Sequence, residues 1–196
     1  MTISLLIHNF GFMMSALLSL SLGFFVLARG WSKRDHVLYF LTTISFVIFC
    51  VAHVLGANAQ DPELSRIFYV LTAIMVFIVC FNAHFGFSAF KIAKKHRLGL
   101  GVMYSVASLL TVALAWRSDL FVLASRPEQY LPNFLVPGPY YWMLAVFFLA
   151  SAAYFFITLG RNYASFNSVD RNRLNYFFLS FGFAYVFGSL QLLPIF

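Results

Sequence analysis

The sequence predicts an all-α protein, a polytopic bundle of transmembrane helices. Apolar residues make up 62% of its 196 residues and charged residues only 10%, whereas soluble domains average about 45–50% and about 25%. The apolar residues form runs of about twenty, the length that a helix needs to cross a bilayer. The runs lack the alternation over about ten residues that marks a strand of a transmembrane barrel. One transmembrane domain is therefore predicted over residues 1–196.

Six spans are predicted, each of about 19 to 26 residues. They cover residues 3–28, 37–55, 68–90, 98–116, 140–160 and 174–193. Residues 1–28 contain no charge, so they lack the basic region of a cleavable signal peptide. Cys50 and Cys80 lie within apolar runs and are expected to be small buried hydrophobic residues, not a disulfide.

Basic residues are concentrated in alternate connectors. Three of the 13 lie in the connectors after the second and fourth spans, which also carry acids. Ten follow the first, third and fifth spans: Arg29, Lys33, Arg34, Lys91, Lys94, Lys95, Arg97, Arg161, Arg171 and Arg173. The positive-inside rule places these ten in the cytoplasm and the N-terminus outside. The net charge of +7 thus follows from topology and attraction to anionic lipid, and no nucleic-acid partner is predicted.

The connector 117–139 is the longest interruption of the apolar pattern. Long loops within compact proteins are often lids or binding loops, so this segment is expected to cover the outer end of the bundle. Pro137 and Pro139 flank Gly138, which would have no easy replacement if its φ were positive, and Pro139 can begin a helix because a missing N–H costs nothing there. Aromatic residues 140–142 would lie at headgroup level.

Short polar motifs predict two helix starts. Asp61-Pro62-Glu63 has the residues of an N-cap, a first helical position and an acidic first turn. Ser168 is the expected cap of the sixth span. Both motifs precede spans that the hydropathy pattern predicts independently of them.

Histidines are the candidate ligands for a metal or haem. His53 and His84 differ in depth by roughly 15 Å, at about 1.5 Å per helical residue, so they cannot share one ion. His8 enters the first helix at about the depth of His53. A shared ligand of His8 and His53 is therefore possible, although histidines near an interface more often bind water or a backbone carbonyl.

Asn82 and His84 are polar residues well inside the third span, and Gln191 lies near the outer end of the sixth. Polar groups within a membrane are costly and often functional. The alternative is an interhelical hydrogen bond that only fixes packing. The sequence leaves both interpretations open.

Several chemistries have no residues to support them. No lysine lies within a span, so a retinal Schiff base has no amine, and no acid within a span supports a proton relay. The sequence also lacks a nucleophile–base pair, a phosphate loop and a metal-ligand cluster. The chain is not expected to be an enzyme by itself.

The segment PNFLVPGPYYWMLAVFF, followed by GRNYASFNSVDRNRLNYFFLSFGFAYVFGSL, carries a resemblance. It resembles the seven-helix sensor region at the N-terminus of bacterial histidine kinases, which also precedes diguanylate cyclases. That family has an extracytoplasmic N-terminus, a Pro-Gly-Pro-like motif opening the fifth helix and a basic connector before the sixth. The seventh helix and output domain are absent here. The resemblance implies detection of an extracellular or membrane-dissolved small molecule.

The expected function is therefore sensory input in the bacterial inner membrane, as part of a homodimeric full-length protein with a cytoplasmic output module. Six crossings from an outer N-terminus leave Phe196 outside, so the chain is expected to be a fragment that lacks its last span. The expected ligand site lies in the outer half, under residues 117–139. Its predicted lining is His53, Asn133, Phe134, Trp142, Tyr185 and Gln191. The alternative is a membrane protein that binds haem or a metal through His8 and His53.

Overall fold

The computed structural model describes residues 3–190, which are mostly helical and include one β-hairpin. The helices are α1 (Ile3–Ala28), α2 (Arg34–Asn58), α3 (Pro62–Leu71), α4 (Met75–Ala89), α5 (Arg97–Trp116), α6 (Tyr141–Asn162) and α7 (Ser168–Leu190). The strands are β1 (Val122–Glu128) and β2 (Leu131–Pro137). A 3₁₀ turn, Thr72–Ile74, joins α3 to α4, so these two helices form one continuous segment.

Within the described residues, five helices are long and apolar enough to cross a membrane. They are α1, α2, the continuous segment Pro62–Ala89, α5 and Tyr141–Ser165. They overlap the first five predicted spans, with ends that differ by up to six residues. The protein is therefore a membrane protein. The sixth predicted span, 174–193, ends beyond the described residues, and its described part lies in α7. The side of the membrane on which the N-terminus lies stays a prediction.

Helix α4 forms the centre of the bundle, because α2, α5 and α6 all pack against it. Its residues Val76, Val79, Cys80, Ala83 and Phe87 are almost fully buried. Helix α1 packs on α2 at the side of the bundle. Both cysteines are free and buried, as the sequence predicts.

The hairpin corrects the all-α prediction. Strands β1 and β2 pair antiparallel, and the pair Glu128–Leu131 closes a turn of two residues. Pro127, Pro132 and Pro137 within the strands favour a loop when the sequence is considered alone. In a two-stranded sheet both strands are edges, and edge strands tolerate proline because the missing donor falls on the unpaired side.

The hairpin is held by hydrogen bonds to the connection between α2 and α3. The Ser125 hydroxyl donates to the Pro62 carbonyl (2.9 Å), and the Asn133 amide donates to the Ala59 carbonyl (2.6 Å). The Tyr69 hydroxyl donates to the backbone carbonyl of Asn133 (2.9 Å). An isolated two-stranded hairpin is marginal in water, so these contacts give it a fixed position over the end of the bundle.

The two predicted caps have different outcomes. Asp61 accepts a hydrogen bond from the backbone N–H of Glu63 (3.0 Å), with proline at the first helical position, as predicted. The predicted cap Ser168 is wrong. Ser168 is the first residue of α7, and the side chain of Asn167 accepts from the N–H of Asp170 (2.8 Å). Asn167 therefore caps α7.

The Pro-Gly-Pro turn leads into α6. Helix α6 begins at Tyr141, two residues after Pro139. Gly138 does not have a positive φ. Glycine is required at this position for a steric reason, because a Cβ at Gly138 would collide with the carbonyl of Leu120. At this turn, the backbone that precedes α6 lies in close contact with the backbone that precedes β1.

Candidate functional site

Two histidines from neighbouring helices face each other at the hairpin end of the bundle. His8 of α1 and His53 of α2 have ring centroids 5.2 Å apart, with the planes inclined at 41°. His53 is only 5% exposed. Beside them, Asn9 and Asn58 exchange amide hydrogen bonds of 3.1 and 3.0 Å between the same two helices. The expectation that His8 and His53 lie at one depth is thus met by direct ring contact.

Aromatic rings enclose this histidine pair. Phe12 stacks on His53 at 4.5 Å and lies 4.8 Å from His8. Tyr69 meets the His53 ring edge-on at 5.6 Å. Tyr130, at the turn of the hairpin, lies 5.9 Å from His8. The pair therefore has an apolar wall on the helix side and a hairpin residue above it.

The Nε2 atoms of His8 and His53 are both buried without a hydrogen-bond partner among the described residues. Each nitrogen of a neutral imidazole is a donor or an acceptor. Leaving such a group unsatisfied costs about 1–3 kcal/mol, and polar groups within membrane helices often mark functional sites. The histidine pair consequently offers two unused polar positions inside an aromatic enclosure.

Three of the predicted site residues, including His53 of the pair itself, come together around Tyr69. His53, Asn133 and Phe134 surround Tyr69, whose ring lies 6.2 Å from that of Phe134. The amide of Asn133 is engaged with the Ala59 carbonyl. Asn133 therefore anchors the hairpin, while His53 and Phe134 belong to the aromatic enclosure.

The other predicted site residues lie elsewhere. Trp142 is 57% exposed at the start of α6. Tyr185 of α7 accepts a hydrogen bond from Asn82 (3.0 Å) and packs against Phe148 at 5.4 Å. It borders a separate apolar groove of about 390 Å³ between α6 and α7, together with Ala152, Phe156 and Gly182. Gln191 lies outside the described residues.

The ring of Phe49 also lies near the pair, 6.1 Å from that of His53. Four site residues were not predicted from the sequence: Phe12, Phe49, Tyr69 and Tyr130. A signal for two of them exists, because His8 and Phe12, like Phe49 and His53, are separated by four residues and so share one helix face. Tyr69 and Tyr130 reach the site from more distant parts of the chain, and no local pattern indicates them.

The polar residues of α4 make interhelical hydrogen bonds. His84 is 2.7 Å from the Arg34 guanidinium through Nε2 and 3.2 Å from the Tyr104 hydroxyl through Nδ1. Asn82 donates to Tyr185 (3.0 Å). These contacts support the packing interpretation of both residues. They also link α4 to α2, α5 and α7.

The described residues contain no group of three or more His, Cys, Asp or Glu side chains that could hold a metal ion. The fold and the site define a polytopic membrane protein in which buried His53 and half-buried His8 form a pair beneath a β-hairpin. No protein-family model, curated protein or solved structure matches the chain.

Proposed function

We propose that this chain is the sensory input region of a bacterial signal-transduction protein in the inner membrane. It binds a lipophilic small molecule between α1, α2 and the hairpin. The observation that carries this proposal is the pair of buried, unpartnered Nε2 atoms of His8 and His53 within an aromatic wall. Small-molecule sites typically combine apolar walls with a few polar groups. The resemblance to histidine kinase sensor regions supports the same function.

The site favours an amphiphile with one small hydrogen-bonding group. A hydroxyl or carbonyl group would bond the imidazole nitrogens, and an apolar body would lie against Phe12 and Phe49. Tyr130 lies over His8 at the turn of the hairpin and exposes 40% of its surface.

Helix α2 provides a route for the signal. It carries His53 near the hairpin end and Arg34 at the opposite end, about 28 Å away at about 1.5 Å per residue. Arg34 contacts His84 of α4 there. A ligand that binds one arrangement of α1 and α2 more tightly than another shifts the equilibrium between them. That shift reaches an output module through helix movement at the basic end, and the chain itself performs no catalysis.

The test uses the chain in lipid nanodiscs with a panel of amphiphiles that each carry one hydroxyl, carbonyl or carboxyl group. At least one member should raise the Tm of the wild type, and the double variant His8→Phe/His53→Phe should lose that response. Tyr185→Phe, in the groove between α6 and α7, is the matched control and should keep it. A full response in the histidine double variant, or a response lost only in Tyr185→Phe, would place the ligand elsewhere.

A second candidate function is metal binding, which the spacing of the two rings favours. Two imidazoles on one tetrahedral ion have centroids about 5 Å apart, given metal–nitrogen distances of about 2.1 Å, close to the 5.2 Å between His8 and His53. Two axial imidazoles on opposite faces of a haem require about 6 Å. The geometry therefore favours an ion over haem. Cobalt loading should give visible d–d absorption in the wild type and none in His8→Phe/His53→Phe if this function is correct.

A further inference from the structure

We propose that the start of α5 and the connector before it form a binding groove for one anionic phospholipid. The groove is shallow and open to the surroundings of the helix, with a volume of about 690 Å³. Basic residues lie at one end and an apolar helix face continues from them. The lining residues are Lys94, Lys95, Arg97, Leu98, Gly101, Val102, Ser105 and Val106.

The basic end of the groove fits a phosphate headgroup. Lys94, Lys95 and Arg97 are exposed, and none of the ion pairs in the described part of the chain involves them. The first turn of α5 contains no acid, so no carboxylate offsets the positive end of the helix dipole. Basic clusters of this kind attract anionic lipid headgroups.

The rest of the groove fits an acyl chain. Leu98, Val102 and Val106 are exposed at 84%, 56% and 36% and follow one another every four residues along α5. Gly101 and Ser105 lie beside them and leave the surface recessed. A Cβ built on Gly101 meets no atom within 4 Å. An acyl chain lying along this face would cover the valines and fill the recess.

A second copy of the chain fits this face less well than a lipid. The small residues Gly101 and Ser105 are spaced as in helix–helix contacts within membranes. Two copies in one membrane have the same orientation, however, so a symmetric contact along α5 would bring two groups of three cations side by side. Like charges at such spacing repel. An anionic lipid supplies the opposite charge at the same height and is therefore the better occupant.

The location agrees with this chemistry. The groove begins at the end of the bundle that carries ten of the 13 basic residues, where headgroups of the bilayer surround the helix termini. The site lies on α5, apart from the histidine pair on α1 and α2. The lipid proposal does not depend on the sensory function.

The test measures which lipid the protein retains. The chain is reconstituted into nanodiscs with equal amounts of phosphatidylglycerol and phosphatidylcholine, released in mild detergent and examined by native mass spectrometry. The wild type should retain phosphatidylglycerol about tenfold in preference to phosphatidylcholine, and Lys94→Ala/Lys95→Ala/Arg97→Ala should remove the preference. Gly101→Leu, which fills the recess while leaving the cations, should reduce retention of the lipid.

The matched control removes the same charge from the same end of the bundle outside the groove. Lys33→Ala/Arg161→Ala/Arg173→Ala should retain phosphatidylglycerol as the wild type does. Equal losses in the two triple variants would attribute the preference to general electrostatics and overturn the proposal. A wild type that shows no preference for phosphatidylglycerol would also overturn the proposal. Disulfide dimers of a Ser105→Cys variant in nanodiscs, together with a wild type that retains no lipid, would show that a second copy of the chain occupies this face instead.

Discussion

The guanidinium of Arg34 donates a hydrogen bond of 2.7 Å to Nε2 of His84. Because arginine has no acceptor, Nε2 of His84 must accept, and in the neutral ring Nδ1 then carries the proton. Nδ1 is 3.2 Å from the Tyr104 hydroxyl, to which it donates. This arrangement predicts one defined tautomer of His84, which ¹⁵N NMR of histidine-labelled protein can identify. The opposite tautomer would mean that the Arg34 contact does not form.

Replacing His84 should destabilise the bundle. His84→Phe removes the acceptor of a charged donor and the partner of Tyr104, so we expect a loss of about 1–2 kcal/mol in the free energy of unfolding. Ser88→Ala, one turn further along α4, is the control and should change stability by less than about 0.5 kcal/mol. Equal effects in unfolding titrations would show that the Arg34–His84–Tyr104 contact contributes nothing specific.

Gly138 should not tolerate a side chain. Its N–H donates to the Phe121 carbonyl (2.9 Å) and a Cβ would collide with the Leu120 carbonyl. Gly138→Ala should therefore cost about 1–3 kcal/mol in thermal unfolding experiments. The control is Gly160→Ala in α6, where a Cβ meets nothing within 4 Å and helix propensity favours alanine. Similar Tm values for the two variants would contradict the close approach at Gly138.

Lys91 occupies a position that favours glycine. It has a φ of 60° after the end of α4, and the N–H groups of Lys91 and Ile92 donate to the carbonyls of Ser88 and Phe87 (2.9 and 2.8 Å). This pattern is a Schellman cap, in which glycine is the usual left-handed residue. Lys91→Gly should stabilise the protein by about 1 kcal/mol. Lys94→Gly removes the same charge without that relief and should lower the Tm; a decrease in both variants would contradict the prediction.

Hydropathy was sufficient for the helical part of the fold but not for the hairpin. A bilayer demands about twenty apolar residues per helix whatever the neighbours are, so the runs within α1, α2 and α5 were predictable from composition alone. Strand pairing between 122 and 137 depends on distant contacts such as Ser125 with Pro62. Prolines at three positions also hide the strand pattern. The hairpin therefore has no signal of its own in the sequence.

The sequence predicts how deep the site residues lie in the bundle, but not which side of each helix faces the site. Counting residues along helices places His8 and His53 at one level, because the helical rise is constant. Which side of a helix faces inward requires an amphipathic pattern, and apolar side chains surround most of these helices. Tyr141 is 7% exposed and Trp142, the next residue, is 57% exposed. The sequence alone does not distinguish these two aromatic neighbours, and the place of Trp142 in a ligand site stays a prediction.

His96 predicts a dependence of stability on pH. It lies between α4 and α5, with Nδ1 3.3 Å from the Tyr154 hydroxyl and its ring 5.3 Å from that of Phe87. Burial, and secondarily Lys95, lowers the pKa of His96 below its usual value of 6.5. The unfolded chain then binds more protons at this residue below about pH 6.5, so the contribution of His96 to stability falls as the pH decreases.

The measurement compares wild type with His96→Gln, because other histidines titrate in both proteins and cancel in the difference. The Tm of the wild type relative to His96→Gln should be lower at pH 5 than at pH 8. A relative Tm that is constant, or higher at pH 5, would show that the pKa of His96 is not lowered in the folded protein.

The distribution of basic residues predicts that the hairpin lies outside the cytoplasm, with the N-terminus on the same side. The two native cysteines, Cys50 and Cys80, are each 0% exposed, so they give little background with a membrane-impermeant maleimide. Gln129→Cys, at the turn of the hairpin, should be labelled on intact cells. Ser168→Cys, at the opposite end of the bundle, should be labelled only after the cells are opened. The reverse pattern would place the histidine pair near the cytoplasmic face, and a sensor of extracellular molecules would then be excluded.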